Sequence, residues 1–197
     1  VGRALKLPTE LAGLIAMLPQ LGYAAGLLLL VPLCDLVENR RLIFRTLACC
    51  AVFLALASFA HSRGVFLVSV FLAGATSSVI QMLVPMAASM APESRRGRAI
   101  GNVMSGLMLG ILLSRPLASL IAGAWGWPTF YGVAALANAL LAILLYARLP
   151  NRKPQAGARY PALLRSLWTL LRTEPVLQRR AMQAALALGA FSAFWTA

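Results

Sequence analysis

Residues 64–92 run for 29 positions without a charged side chain. A helix of that length extends roughly 43 Å at about 1.5 Å per residue, more than the roughly 30 Å hydrocarbon core of a bilayer. The run therefore reads as one membrane-crossing helix, Gly64–Pro92, with its ends in the interface. Four more stretches read the same way: Leu11–Cys34, Leu42–Ala60, Ala99–Ala124 and Trp127–Ala147. Short polar or turn-forming segments separate them: Asp35–Arg41, His61–Arg63, PESRRGR from Pro92, and Trp125–Pro128. The fold class is all-α, a polytopic transmembrane helix bundle. Only 12% of the 197 residues are charged, about half the share in a soluble domain. The net charge of +13 is no nucleic-acid signal, because the bases sit in clusters between apolar runs. The lipid bilayer is the partner this composition implies.

Several side chains stand out within the spans. Thr9, after Pro8 and before Glu10, is a suitable N-cap for the first. Pro19 is expected to kink that span, and Gly22 and Gly26 form a GxxxG that permits close helix approach. Gln20 is its strongest polar group and either bonds a neighbouring helix or lines a cavity. Thr76, Ser77, Ser78 and Gln81 place a polar patch mid-span, with a kink expected at Pro85. In Ala99–Ala124, small residues recur at every fourth position (Gly106, Gly110, Ser114, Ala118, Ala122), with Pro116 between the third and fourth of them. That row predicts an oblique, tight helix crossing. Arg115 is costly in hydrocarbon, by about 2.5–3.5 kcal/mol on insertion scales, so it should face a partner or a wet cavity. Met104 and Met108 share its helix face, and flexible thioethers re-pack around varied apolar ligands. Asn138 is the only amide in Trp127–Ala147. Trp125, Trp127, Phe130 and Tyr131 fit an interfacial aromatic belt. Cys34, Cys49 and Cys50 have neither metal-ligand nor disulfide spacing, His61 reads as a loop residue, and neither a metal nor another cofactor is expected.

The turns alternate sides. One side collects Arg40, Arg41, Arg45, Arg95, Arg96, Arg98 and the bases from Arg148 to Arg180, 14 of the 18 Lys and Arg. By the positive-inside rule it is cytoplasmic. Within Arg148–Arg180, the stretch Pro161–Arg172 is amphipathic: Arg165, Thr169 and Arg172 share one face, and Leu163, Leu167, Leu170 and Leu171 the other. It reads as a helix lying in the interface. The expected organisation is a bundle over 1–149, a cytoplasmic loop over 150–180, and the start of a further span over 181–197. A chain that begins outside without a signal segment and stops mid-span is expected to be a fragment.

These residues resemble the major facilitator superfamily. GYAAGLLLLVPLCDLVENRRLI, from Gly22, is similar to that family's second span and its G-x-L-A-D-R-x-G-R-[RK] turn. Leu33, Asp35 and Arg40 match the motif and Arg41 extends it, whereas Val31 and Glu38 stand where its glycines belong. PESRRGRAIG resembles the turn before the fifth span. GLMLGILLSRP resembles the fifth-span motif of efflux members, with Ser114-Arg115 in place of the glycine before Pro116. GWPTFY, from Gly126, resembles the turn before span six. The resemblance implies spans two to six and the start of seven, in an all-α bundle whose halves carry inverted repeats. It also implies alternating access about a midplane site, and so a small-molecule substrate (drug, sugar or metabolite), efflux by antiport with protons, a monomer, and the inner membrane. The cytoplasmic gate would use Asp35, Arg40, Arg41, Glu93, Arg95, Arg96 and Arg98, with Asp35 pairing to the later arginines and Glu93 to Arg40 or Arg41. The cavity would use Arg115, Gln81, Gln20, Asn138, Met104 and Met108. All five acids lie at span ends or in loops, so a proton-carrying acid is expected elsewhere, unless Asp35 serves.

Two other readings compete. A membrane-embedded transferase would need clustered Asp, His or Glu for metal or acid–base work, and the sequence has no such cluster, so no enzyme is expected. A non-transporting or truncated membrane protein would lack substrate-stimulated flux.

Overall fold

The computed structural model describes residues 12–151 and 159–196. The chain divides into two compact units, residues 1–154 and 155–197. The expected cap at Thr9 lies outside the described residues. In the first unit α1 covers Ala12–Leu29, α2 Asn39–Ser58, α3 Arg63–Thr76, α4 Ile80–Met90, α5 Arg96–Trp125 and α6 Trp127–Arg148. In the second, α7 covers Tyr160–Thr173 and α8 Pro175–Thr196. Five segments are long and apolar enough to cross a membrane: Gly13–Asp35, Asn39–Ser58, Arg63–Met90, Glu93–Trp125 and Trp127–Arg148. The protein is a multi-pass membrane protein. Among the described residues α8 is not a sixth such helix. Its first turns include Arg179 and Arg180, where the charge pattern predicts a loop.

Span Arg63–Met90 is not one helix kinked at Pro85. It tightens earlier, into one 3₁₀ turn over Ser77–Val79 whose flanking residues keep right-handed helical φ and ψ, and α4 then runs through Pro85. The cause is a run of three hydroxyls. Thr76 Oγ1 donates to the carbonyls of Leu72 at 2.9 Å and Ala73 at 3.0 Å. Ser77 Oγ donates to Ala73 O and Ser78 Oγ to Ala75 O, each at 2.8 Å. Side-chain bonds back to the preceding turn compete with the backbone ladder and bend helices. Pro85 lies inside α4, which continues to Met90.

The core lies in two apolar clusters, one toward each end of the bundle. One holds Leu42, Ile43, Leu47, Val79, Met82, Met86 and Ala142, with Leu33, Val37 and Leu149 packed on it. The other holds Ala57, Ala60, Phe66 and Val70, with Ile15, Leu18, Trp127 and Tyr131 packed on it. The first gathers the ends of α1, α4 and α6 with the start of α2, and so places the arginine-rich turns together, as the charge pattern predicts. Between the clusters the buried side chains are small: Cys50, Ser69, Ala73, Thr76 and Ser78. There α1 crosses α3 so closely that Cβ atoms on Gly22, Gly26 and Gly74 would collide with the backbone of Phe71, Ala75 and Pro19, respectively.

The most extensive helix pairings are α2 with α6 and α1 with α3; α5 packs less extensively, mainly on α4 and α6. The tight crossing expected at Gly106, Gly110 and Ser114 is not made among the described residues. A Cβ on either glycine meets nothing within 4 Å, and Ser114 Oγ donates to Ile111 O on its own helix at 2.7 Å. Pro116 lies within a continuous α5. The link from α5 to α6 is the single residue Gly126, at φ +86°, a conformation that disfavours any side chain. Ser58 Oγ donates to Pro128 O at 2.7 Å and ties the end of α2 to the start of α6.

Candidate functional site

Two polar regions lie at different depths. The deeper one is built on the 3₁₀ turn between α3 and α4. The turn over Ser77–Val79 sets the direction of α4, and one turn on, Gln81 Nε2 donates to the hydroxyl of Tyr23 at 3.0 Å. Tyr23 sits at the middle of span Gly13–Asp35, one residue from the Gly22 crossing that draws α1 against α3. Gln20 lies one turn before it on the same flank of α1, and both glutamines are exposed. Behind the turn, Cys50 Sγ lies 3.9 Å from Ala73 O and 4.0 Å from Ser77 Oγ. The structure thus sets Gln81 against α1, about one turn from Gln20. It adds Tyr23, which a search of the sequence for amides and charges misses; the available signal is a phenol at mid-span, whose hydroxyl needs a partner.

The remaining cavity candidates separate. Met104 and Met108 line an open groove on α5 with Gly101, Ser105, Leu109 and Leu112. Arg115 is exposed on the same helix and is not part of that lining. Asn138 Nδ2 donates to Ala134 O at 2.9 Å, so its amide serves its own helix. The aromatic belt also splits. Trp125 is 70% exposed, as a belt residue should be, whereas Trp127 and Tyr131 pack edge-on to the buried Phe66 at 5.5 and 5.6 Å and belong to the core.

The second region is the arginine-rich end. Arg41 pairs with Glu38 at 2.9 Å and Arg96 with Glu93 at 3.3 Å, each within its own turn. The cross-turn pairs expected between Asp35 and Arg95, Arg96 or Arg98, and between Glu93 and Arg40 or Arg41, are not among the ion pairs of the described residues. A partner three residues away needs no loop to be held against another, so the local pair forms first. Arg95 and Arg98 are exposed, as is Asp35. Arg40 takes a different role: its guanidinium lies 4.1 Å from the centre of the Tyr146 ring, and that ring is tilted against Phe44 at 5.0 Å. This cation–π contact joins the start of α2 to the end of α6. Arg40 Nε and Asn39 Oδ1 are buried there without a protein hydrogen-bond partner.

A spanning segment tightened into a 3₁₀ turn at mid-membrane beside a polar pair, with an arginine cluster at one end of the bundle, defines a class: a polytopic helical protein with polar side chains inside the bilayer. The chain belongs to the major facilitator superfamily, whose model matches residues 1–197. It is 40% identical to YgaY of Escherichia coli (strain K12), named an uncharacterized transporter, over 196 residues, 100% of this chain and 50% of that protein. It is 36% identical over 183 residues to the "Probable transporter SCO4007" of Streptomyces coelicolor, 92% of this chain and 42% of that one. A "Probable sugar efflux transporter" of Mannheimia succiniciproducens is 28% identical over 148 residues, 74% of this chain and 34% of that protein. The chain spans about half or less of the length of these relatives.

Proposed function

We propose that this chain is part of a secondary active transporter that exports small molecules by alternating access, as a monomer in the cell's inner membrane, driven by protons. The observation that carries this reading is the 3₁₀ turn at Ser77–Val79 beside the Tyr23–Gln81 pair. A 3₁₀ stretch inside a longer helix often marks a functional hinge, and polar side chains inside the membrane are expensive and face the bundle interior or a water-filled cavity. Tyr23, Gln81 and Gln20 offer donors and acceptors without charge, which suits a neutral polar substrate. The sugar for which the Mannheimia relative is named is of that kind, and the efflux direction rests on the same name and on the fifth-span resemblance. Arg40 and Arg41, with Asp35, Glu93, Arg95, Arg96 and Arg98, form the cytoplasmic gate in this reading; Arg115 and the Met104–Met108 groove extend the cavity on α5. The chemistry is binding and release, without catalysis.

The test is flux by the full-length protein in proteoliposomes under an imposed pH gradient, against a panel of neutral sugars and apolar drugs. A transported compound should lose affinity by roughly threefold to tenfold in Gln81→Ala and Tyr23→Phe, the effect of one hydrogen bond. Gradient-driven flux unaltered in both variants would move the site elsewhere; no flux of any compound would overturn the transport reading.

A further inference from the structure

We infer that α7 docks on the anionic surface of the bilayer, with its leucine face in the acyl boundary and its arginines among the headgroups. The helix divides cleanly at about 100° per residue. Tyr160, Leu163, Leu164, Leu167, Leu170, Leu171 and Trp168 occupy an arc roughly 160° wide, and Arg165, Thr169 and Arg172 lie together opposite it. Much of the apolar arc is open: Leu167, Trp168, Leu170 and Leu171 are exposed, and Tyr160, Leu163 and Leu164 are half-buried. Trp168 stands at the border of the two faces, and the Arg172 guanidinium covers its ring at 4.6 Å. That arrangement suits an interface, with an indole at headgroup level and a cation beside it.

Charge selects the occupant. Residues 159–180 carry five arginines (Arg159, Arg165, Arg172, Arg179, Arg180) against one acid, Glu174. An apolar groove on a protein would satisfy the leucines and leave these cations without counter-charge. A leaflet of anionic phospholipid satisfies both faces, since basic amphipathic helices bind by apolar burial plus attraction to acidic headgroups. The helix is also held at a set angle to its successor: Gln178 Nε2 donates to the carbonyls of Leu171 at 3.0 Å and Arg172 at 3.1 Å. These bonds cap the open end of α7 and fix the corner into α8, so the leucine arc is presented as a fixed surface. Docking of α7 on the membrane does not depend on transport.

The test uses the full-length protein with its native cysteines replaced and single cysteines at Leu167, Leu171 or Thr169, each carrying a nitroxide. Collision with oxygen and with a water-soluble nickel chelate is measured in vesicles of phosphatidylcholine with phosphatidylglycerol, and of phosphatidylcholine alone. In the anionic vesicles, labels at Leu167 and Leu171 should favour oxygen and the label at Thr169 the chelate. Removing Arg165 and Arg172 (Arg165→Gln with Arg172→Gln) should lower the docked-to-free ratio about fivefold per arginine, as about 1 kcal/mol each near an anionic surface implies. These positions are exposed, so folding should survive. Labels at 167 and 171 shielded from both reagents would show that protein covers the face, and labels open to the chelate would leave it in water. Docking equal in both vesicle types would remove the anionic lipid. Each of these three results overturns the inference.

Discussion

The crossing of α1 and α3 makes the sharpest test of the fold. Alanine at Gly74 would place a Cβ against the Pro19 carbonyl oxygen and 2.8 Å from Pro19 Cα. Alanine at Gly22 would meet the Phe71 carbonyl oxygen, with Ala75 N at 3.0 Å. These obstacles are backbone atoms and cannot rotate aside, so the two helices must part until ordinary contact returns. Overpacking of this kind costs about 1–3 kcal/mol, and helix propensity returns about 1 kcal/mol when glycine becomes alanine. Gly74→Ala should therefore destabilise the bundle by up to about 2 kcal/mol. Gly64→Ala, at the start of the same helix with nothing within 4 Å of its Cβ, should be neutral or stabilising by up to about 1 kcal/mol.

The assay is reversible unfolding of the full-length protein in micelles, followed by helix content. The two crossing sites should also couple. Once Gly74→Ala has pushed α1 from α3, Gly22→Ala meets a gap already opened, and the double variant should cost less than the sum by at least about 0.5 kcal/mol. If Gly74→Ala stabilises as Gly64→Ala does, or if the two crossing variants add fully, α1 and α3 do not meet backbone to backbone and the reasoning is refuted.

Three further outcomes are expected. Cysteine placed at Arg63 should react with an impermeant reagent from outside and cysteine at Arg96 should not; the reverse pattern would invert the topology drawn from 14 bases on one side. A double-mutant cycle on Arg40→Gln and Tyr146→Leu should show coupling of about 1 kcal/mol from the 4.1 Å cation–π contact, and zero coupling would make that contact incidental. Asp35→Asn should leave stability within about 0.5 kcal/mol, because the acid is exposed and outside the ion pairs described, yet lower flux at matched expression; unchanged flux would remove Asp35 from the gate.

The spans were legible because hydrophobic length is a one-dimensional property: a charge-free run either covers the bilayer or does not. Glycine spacing was legible in part. Gly22 and Gly26 sit where α1 meets α3, but the same logic applied to Gly106 and Gly110 names a face that no described helix covers. A small-residue row states that close approach is permitted and leaves the partner undetermined. The 3₁₀ turn at Ser77–Val79 coincides with Thr76-Ser77-Ser78, whose hydroxyls bond back to the preceding turn, and Pro85 drew the reading away from it. The ion pairs were illegible for a geometric reason. Glu38 and Glu93 each have a cation three residues away, and only coordinates show that this local pair forms while the distant one does not.

The same distinction decides what the polar residues can do. Gln81 and Asn138 look alike in the sequence, each an amide inside a span. Asn138 lies in an unbroken helix with a carbonyl one turn back, and its amide donates there at 2.9 Å. Gln81 carries a side chain one methylene longer, and its amide reaches across to the Tyr23 hydroxyl on α1 at 3.0 Å. A polar pair at mid-membrane is thus made across two helices without any charged residue, and Tyr23 and Gln81 are the pair on which a neutral substrate should be sought.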